Sequence, residues 1–567
     1  MKKLMFVILA ACLLAAGLWY YVRTPLKTVD PDRALPADAL LTLECRDLKE
    51  RLAKFRSSPL GKKLGEIDFV AAMKKLEAPP RWTESYRNLE SRLKSSLQSQ
   101  LFEEIFGRRA VLAWLPDKEA FLEFDDSMDL LKQMVLIAQP RSRIELVELA
   151  GKILSRDLVF TFEAYKDFEI RRFELRADLP VHYTLAKGLL IAASSRENIV
   201  RCIDQLETPE GGLVSVPNYQ KLRPEKSGRV NTLVYGNIEG FLDVLNSRLK
   251  ENDEFQKKAA LFKGLKHFGL VSFQDERIQD HLRILFDAQE LDPRNVPLYS
   301  RAPEIHQPLA WAPENPLLYY SVNTMDLNLK LQRDLSDAVL REAFADGFIK
   351  MTQMHPDKLI DSLGHQFGLV IDDLRGGGVL PGAKMAVFIE LNETGPMNRL
   401  LRSAAEQSGI ELSMRQKNGI EIHTLPLPLT GDFQPAFAFY RGFCLLASNG
   451  NMISDIIEKG ENASGLLNNA EFQAVLKGRP DAVNSISYLK TDRMMDAIRE
   501  LLEWSRRMAG FQDAQRAAKL TILTDEVIFP LLEGLKMYQS MGSFTQLKDG
   551  EMEAYSFTRL ATEAKSR

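Results

Sequence analysis

Cysteine is scarce: the chain has four in 567 residues. A small disulfide-stapled scaffold needs a far higher density, so that class is excluded. Histidine is nearly as rare, with seven: His182, His267, His281, His306, His355, His365 and His423. None forms an HExxH pair or stands in a CxxC…HxxxH frame, so no sequence-local zinc site is present. A GxGxxG fingerprint after a strand, a Walker A loop and a GxSxG elbow are missing as well. Nor is there an excess of positive charge, because 74 Lys+Arg face 77 Asp+Glu for a net charge of −3. Lys2, Lys3, Arg23 and Lys27 fall in the first 27 residues, which hold no acid. The remainder therefore carries 70 basic and 77 acidic residues, or −7. A nucleic-acid partner, which would require a basic face, is not expected.

What is present is an ordinary globular balance of 45% hydrophobic and 27% charged residues. The length suggests about two to four domains. The chain opens with Met1-Lys2-Lys3 and then 19 residues, Leu4 to Val22, without charge or proline. As a helix this run matches the ~30 Å hydrocarbon core of a bilayer. Trp19, Tyr20 and Tyr21 would sit at the headgroup level, with Arg23 and Lys27 in the water beyond. The favoured expectation is a signal anchor within residues 1–27. Residues 4–22 would cross a bacterial inner membrane once and leave the body in the periplasm. Two alternatives stay open. Cleavage after Ala15-Ala16-Gly17 would give a secreted protein, although its new end would be the apolar Leu18-Trp19-Tyr20-Tyr21. Leu9-Ala10-Ala11-Cys12 resembles a lipobox, which would make the chain a lipoprotein at Cys12, but the apolar run continues beyond it.

The body reads as one unit written twice. His182–Ser194 and Ala436–Ser448 each read as strand, glycine turn and apolar strand, with Gly188 and Gly442 at the turns, 254 residues apart. Val230–Tyr235 matches Val483–Tyr488 at an offset of 253, and Met134 matches Met385 at 251. The openings Leu35–Glu44 and Ala312–Tyr320 are also alike. Copy 1 is expected over 34–290 and copy 2 over 312–560. Between them, 291–311 is expected to be a proline-rich, extended connector, carrying Pro293, Pro297, Pro303 and Pro308.

Each copy is predicted to run strand, helices, two strands, helix, strand hairpin, helix, strand, long helix and closing hairpin. Leu89, Leu93, Leu97, Leu101 and Ile105 place one apolar stripe on a helix. Asp492 to about Met541 is predicted to be mostly helical, with a break at Phe529-Pro530. Ile278–Phe286 alternates as a half-buried strand, and Glu551–Leu560 is its counterpart. The fold class is α+β: two tandem modules of mainly antiparallel sheet plus helices, after one transmembrane helix.

Few residues suggest chemistry. Arg375–Gly382, the most glycine-dense stretch, reads as a hairpin tip rather than an anion nest. Glu123–Asp129 lacks the spacing and glycine of a calcium loop and reads as a solvated acidic loop. Cys45, Cys202 and Cys444 are expected to be small buried apolar residues. No catalytic, cofactor-binding or metal-ligating residue is assigned.

Leu35-Pro36-Ala37-Asp38-Ala39-Leu40-Leu41-Thr42-Leu43-Glu44, followed by Ser57-Ser58-Pro59-Leu60-Gly61, resembles an uncharacterised bacterial family, domain of unknown function 3352. Gly188–Ser194 and Gly442–Ser448 are similar to later strands of that family. The resemblance implies a membrane-anchored envelope protein and carries over no reaction or site residue. The functional expectation is therefore non-catalytic binding or scaffolding of an envelope partner. The alternative is a carrier or sensor of an apolar or lipid ligand in a cleft between the copies, and an enzyme with a dispersed site comes third.

Overall fold

The computed structural model describes residues 29–98, 106–116, 132–140, 161–176, 179–208, 210–224, 230–249, 252–274, 277–293, 295–324, 338–375, 382–427, 433–462 and 465–561. The expected signal anchor and the acidic Glu123–Asp129 lie outside them. Among the described residues no helix is long and apolar enough to cross a membrane. The fold is α+β with antiparallel sheet. It divides into two compact units that do not follow chain order. Unit 1 comprises Met1–Phe55, Pro80–Gln274 and Leu282–Asp287; unit 2 comprises Arg56–Pro79, Asp275–His281 and Ala288–Arg567.

The strands of unit 1 are β1 (Leu41–Arg46), β2 (Arg109–Trp114), β3 (Met134–Gln139), β4 (Thr161–Tyr165), β5 (Phe168–Arg176), β6 (Leu179–Ala186), β7 (Leu189–Ala193), β8 (Val230–Asn237) and β9 (Leu265–Gln274). The last five residues of β10 (Arg277–Phe286) also belong to it. Hydrogen bonding orders them β4-β5-β6-β7-β3-β2-β1-β8-β9, every pair antiparallel. Lys187 and Gly188, at φ 49° and 81°, form the two-residue turn between β6 and β7. Both positions need positive φ, which glycine supplies without steric cost. Helix α1 (Arg196–Glu207) follows and buries Ile199, Cys202, Ile203 and Leu206 on one face, at helical spacing. These pack with Leu35, Val111, Ile137 and Ile191 in the unit's core. Tyr219 meets Tyr235 edge-on at 5.0 Å.

In unit 2 the strands are β11 (Glu304–Ile305), β12 (Leu318–Val322), β13 (Leu363–Arg375), β14 (Gly382–Leu391), β15 (Ser413–Lys417), β16 (Ile420–Thr424), β17 (Ala436–Tyr440), β18 (Phe443–Ala447), β19 (Ala482–Val483), β20 (Ser485–Leu489), β21 (Tyr538–Lys548) and β22 (Glu551–Leu560). Their order is β15-β16-β17-β18-β14-β13-β12-β20-β21-β22, again antiparallel throughout, with β11 and β19 paired separately. Arg441 and Gly442 make the β17–β18 turn at φ 48° and 80°. Helix α2 (Gly450–Asn462) then buries Met452, Ile453, Ile456 and Ile457. Phe472 meets Tyr488 edge-on at 5.6 Å.

Three expectations need correction. The single mid-module hairpin is a four-stranded meander, β4–β7 in unit 1 and β15–β18 in unit 2. The extra strands escape a periodicity reading because their outer members are exposed on both faces: four of the five residues of β4 and of β15 are exposed. The proline-rich stretch is not extended throughout. Pro297 and Pro308 sit in the first turns of short helices, where no amide donor is missed, and Leu309 and Trp311 are buried in the core of unit 2. Trp311 meets Tyr440 and Phe443 edge-on at 5.3 and 5.2 Å. The third correction concerns the break within 492–541, a stretch that is mostly helical as expected. The chain is helical over Thr491–Gln512, breaks at Asp513, resumes over Ala514–Leu523, and crosses a π turn (Thr524–Ile528) into Phe529–Leu535. Asp513 breaks the run by capping the next helix, accepting from the amides of Gln515 and Arg516. β21 already begins at Tyr538. The strands expected at 278–286 and 551–560 are present.

Candidate binding groove in unit 2

The end of the β15–β18 meander, together with the start of α2, forms an open groove of about 670 Å³ in unit 2. Asn418 and Gly419, at φ 51° and 76°, turn β15 into β16, so that Ser413 pairs with Thr424 and Arg415 with Ile422. That register puts Ser413, Arg415 and Thr424 on the groove wall. Across from them α2 begins: Asn449 caps it, its Oδ1 accepting from the Met452 amide at 2.9 Å. Asn451 and Asp455 project from its first turns into the lining. Asp373 near the end of β13 and Gly382, Ala383 and Lys384 at the start of β14 form a further wall, with Phe433 and Gln434 completing the rim. Phe433 is 43% exposed.

The charges are balanced. Lys384 Nζ lies 2.8 Å from Asp372 and 3.7 Å from Asp455. Partial burial pulls its ammonium down, and hydrogen bonds and attraction from these carboxylates more than restore it, so it ends above its ordinary value. Arg415 donates to Asn451 Oδ1 and Ser454 Oγ, both at 2.9 Å. Gly450 leaves room for that guanidinium: a Cβ there would stand 3.0 Å from Thr424 Oγ1 and 3.1 Å from Arg415 Nη2. A second recess of about 320 Å³ shares Asp373 with the groove and is lined by Leu317, Leu374, Arg493, Asp496, Ala497 and Glu500.

Unit 1 treats the matching elements differently. The third residue of β4 is Glu163, which pairs with Ile170, and the first residue of α1 is Arg196. Arg196 Nε donates to Glu163 Oε2 at 2.8 Å, so an ion pair spans the place where unit 2 has Arg415 facing Gly450.

The residues singled out by sequence are dispersed. Arg375 pairs with Gly382, as a hairpin requires, and Gly382 lines the groove; residues 376–381 between them lie outside the described set. Cys202 and Cys444 are buried, which pushes both thiols up to about 12, far from the thiolate form a nucleophile needs. Cys45 is half-buried, and its thiol is also raised by burial. His306 Nδ1 and the Ser321 hydroxyl share a buried hydrogen bond of 2.6 Å. The other ring nitrogen lies 3.0 Å from the Val483 carbonyl, and burial lowers the ring's pKa. With both residues at most 2% exposed, the pair ties β12 to β19 rather than facing a substrate. His423 stacks on Phe437 and His281 on Tyr555. Among the described residues, no group of three or more His, Cys, Asp or Glu could hold a metal ion.

Sequence reasoning missed a buried ionic network in unit 1. Arg109 donates to both oxygens of Glu44, at 2.6 and 2.7 Å, and Arg46 to one of them at 2.7 Å. Arg223 lies 2.6 Å from Asp32, which also accepts from the Tyr219 hydroxyl at 3.2 Å. Burial raises the Glu44 carboxyl, and Arg109 and Arg46 overcome it, holding the group below its ordinary value. The groove was missed too, although Asn418-Gly419 is a strong hairpin signal that marks its wall.

No family model and no curated protein matches the chain. Among solved structures it is similar to crystal form III of TP0453, at 13% identity and a TM-score of 0.26, covering 49% of this chain and 88% of that one. Crystal form I of TP0453 is similar at 9% identity and a TM-score of 0.25, covering 47% and 82%.

Proposed function

We propose that this chain is a non-catalytic binding protein of the bacterial envelope, held to the inner membrane by residues 4–22 with its body in the periplasm. In this reading it consists of two copies of one α+β module, and the second copy binds the partner. The observation that carries the binding role is the groove of about 670 Å³, a volume typical of ligand sites, lined by donors and acceptors of both charge signs. No histidine or cysteine lies among its described lining residues to serve as base or nucleophile. The duplication draws support from the matching strand orders, and from turns and helices that recur at Gly188 and α1 and at Gly442 and α2. The apolar run and aromatic collar of residues 4–22 support the tether.

A photocrosslinking side chain placed at exposed Ser413, on the groove wall, tests the reading in intact cells, with exposed Thr161 of β4 as the control. The expected result is one defined adduct at position 413 and none at 161. No adduct at either, or equal labelling at both, overturns it. Intact mass of the purified protein separates the tether from cleavage or lipidation at Cys12.

A further inference from the structure

We infer that the groove and the adjoining recess bind consecutive units of a neutral oligosaccharide. This rests on the groove being the binding site and adds the ligand class. Lys384 and Arg415 line the same cavity as Asp373 and Asp455, so the formal charges of the lining cancel. A phosphate or carboxylate ligand would meet the two aspartates, and a cation would meet the lysine and the arginine. A sugar hydroxyl both donates and accepts, so one ring can satisfy carboxylates and cations at once. Phe433, 43% exposed at the rim, adds an aromatic side chain to the lining, of the kind that packs on the C–H side of such a ring. The cavity is open, and the recess beyond Asp373 adds Arg493, Asp496 and Glu500, again groups of both signs though with carboxylates in excess. A second polar recess sharing a carboxylate with the first suits a chain of linked rings better than a single small molecule.

Gly450 keeps the groove open where α1 carries Arg196 at its first position. An arginine side chain there would be forced into the space around Arg415 and Thr424. The rival occupant is an extended peptide paired along β15, which ends the described strand order.

The test is calorimetric titration of the full-length protein with cellotetraose, maltotetraose and chitotetraose. At least one is expected to bind saturably. Phe433→Ala and Asp373→Asn should each weaken it about tenfold or more. Gly450→Arg should abolish it, while thermal unfolding of Phe433→Ala and Asp373→Asn stays that of the parent. No saturation by any of the three sugars at about 10 mM, the weak edge of specific recognition, overturns the inference. So does binding that survives Gly450→Arg. If the sugars fail while the position-413 crosslinker captures a peptide, the groove remains the site and only the ligand class falls. If both fail, the site falls with it.

Discussion

Units 1 and 2 share a strand order but build different interiors around it. In β1, Glu44 stands opposite Val111 of β2, and in β12, Ser321 stands opposite Gly368 of β13. Two residues before those partners lie Arg109 in unit 1 and Gln366 in unit 2. Nine residues before each opening strand lie Asp32 and Leu309. At these positions one unit has a bidentate ion pair and a further aspartate, the other a hydroxyl, an amide and an aliphatic side chain, all buried. At the meander end the polarity differs again: Glu163 and Arg196 close on each other in unit 1, while Arg415 and Gly450 leave a groove in unit 2. One backbone plan tolerates either interior because every buried polar group needs a partner of some kind, charged or neutral, and strand register supplies the places.

The largest effect should come from removing the centre of the ionic network. Arg109→Met removes the bidentate partner of buried Glu44, leaving it Arg46 alone, and leaves Asp32 to Arg223; it should destabilise unit 1 by about 3 kcal/mol. Gln366→Met, at the matching place, should cost unit 2 only about 1 kcal/mol. Hydrogen exchange read by mass spectrometry assigns each loss to its unit, and equal losses would erase the contrast.

Acid should act next. The Glu44 carboxyl is held below its ordinary value of 4.5, so its contribution is fully present above that pH and is lost as pH falls through the depressed folded value. Glu44→Gln should therefore flatten the fall in unit 1 protection below about pH 4.5. Wild-type and variant profiles that run parallel there would remove Glu44 from the acid response. The smallest effect belongs to Arg196→Gly. Its pairing with Glu163 is exposed, so the melting temperature should hardly move. A thermal melt showing a clear drop would mean that this end of unit 1 depends on the pair for its fold.

Much of the architecture was legible. The helix expected after each strand hairpin is α1 or α2, glycines marked the Gly188 and Gly442 turns, and alternation marked 278–286 and 551–560. Of the site, only Gly382, at the end of the glycine-rich stretch, had been singled out. The exposed β15 has no apolar face to announce it, and Arg415, Lys384 and Asp455 are unremarkable surface charges until a register brings them together.

By itself, then, the sequence determined the α+β class, the local turns and the buried helix faces, because those depend on neighbours within a few residues. Tertiary structure alone decided that Arg109 meets Glu44 across 65 positions, that Arg56–Pro79 joins unit 2, and that Gly450 lines a groove with Arg415 where unit 1 pairs Arg196 with Glu163. Those outcomes depend on which strands pair and in what register, a long-range choice that no local pattern of hydrophobicity encodes.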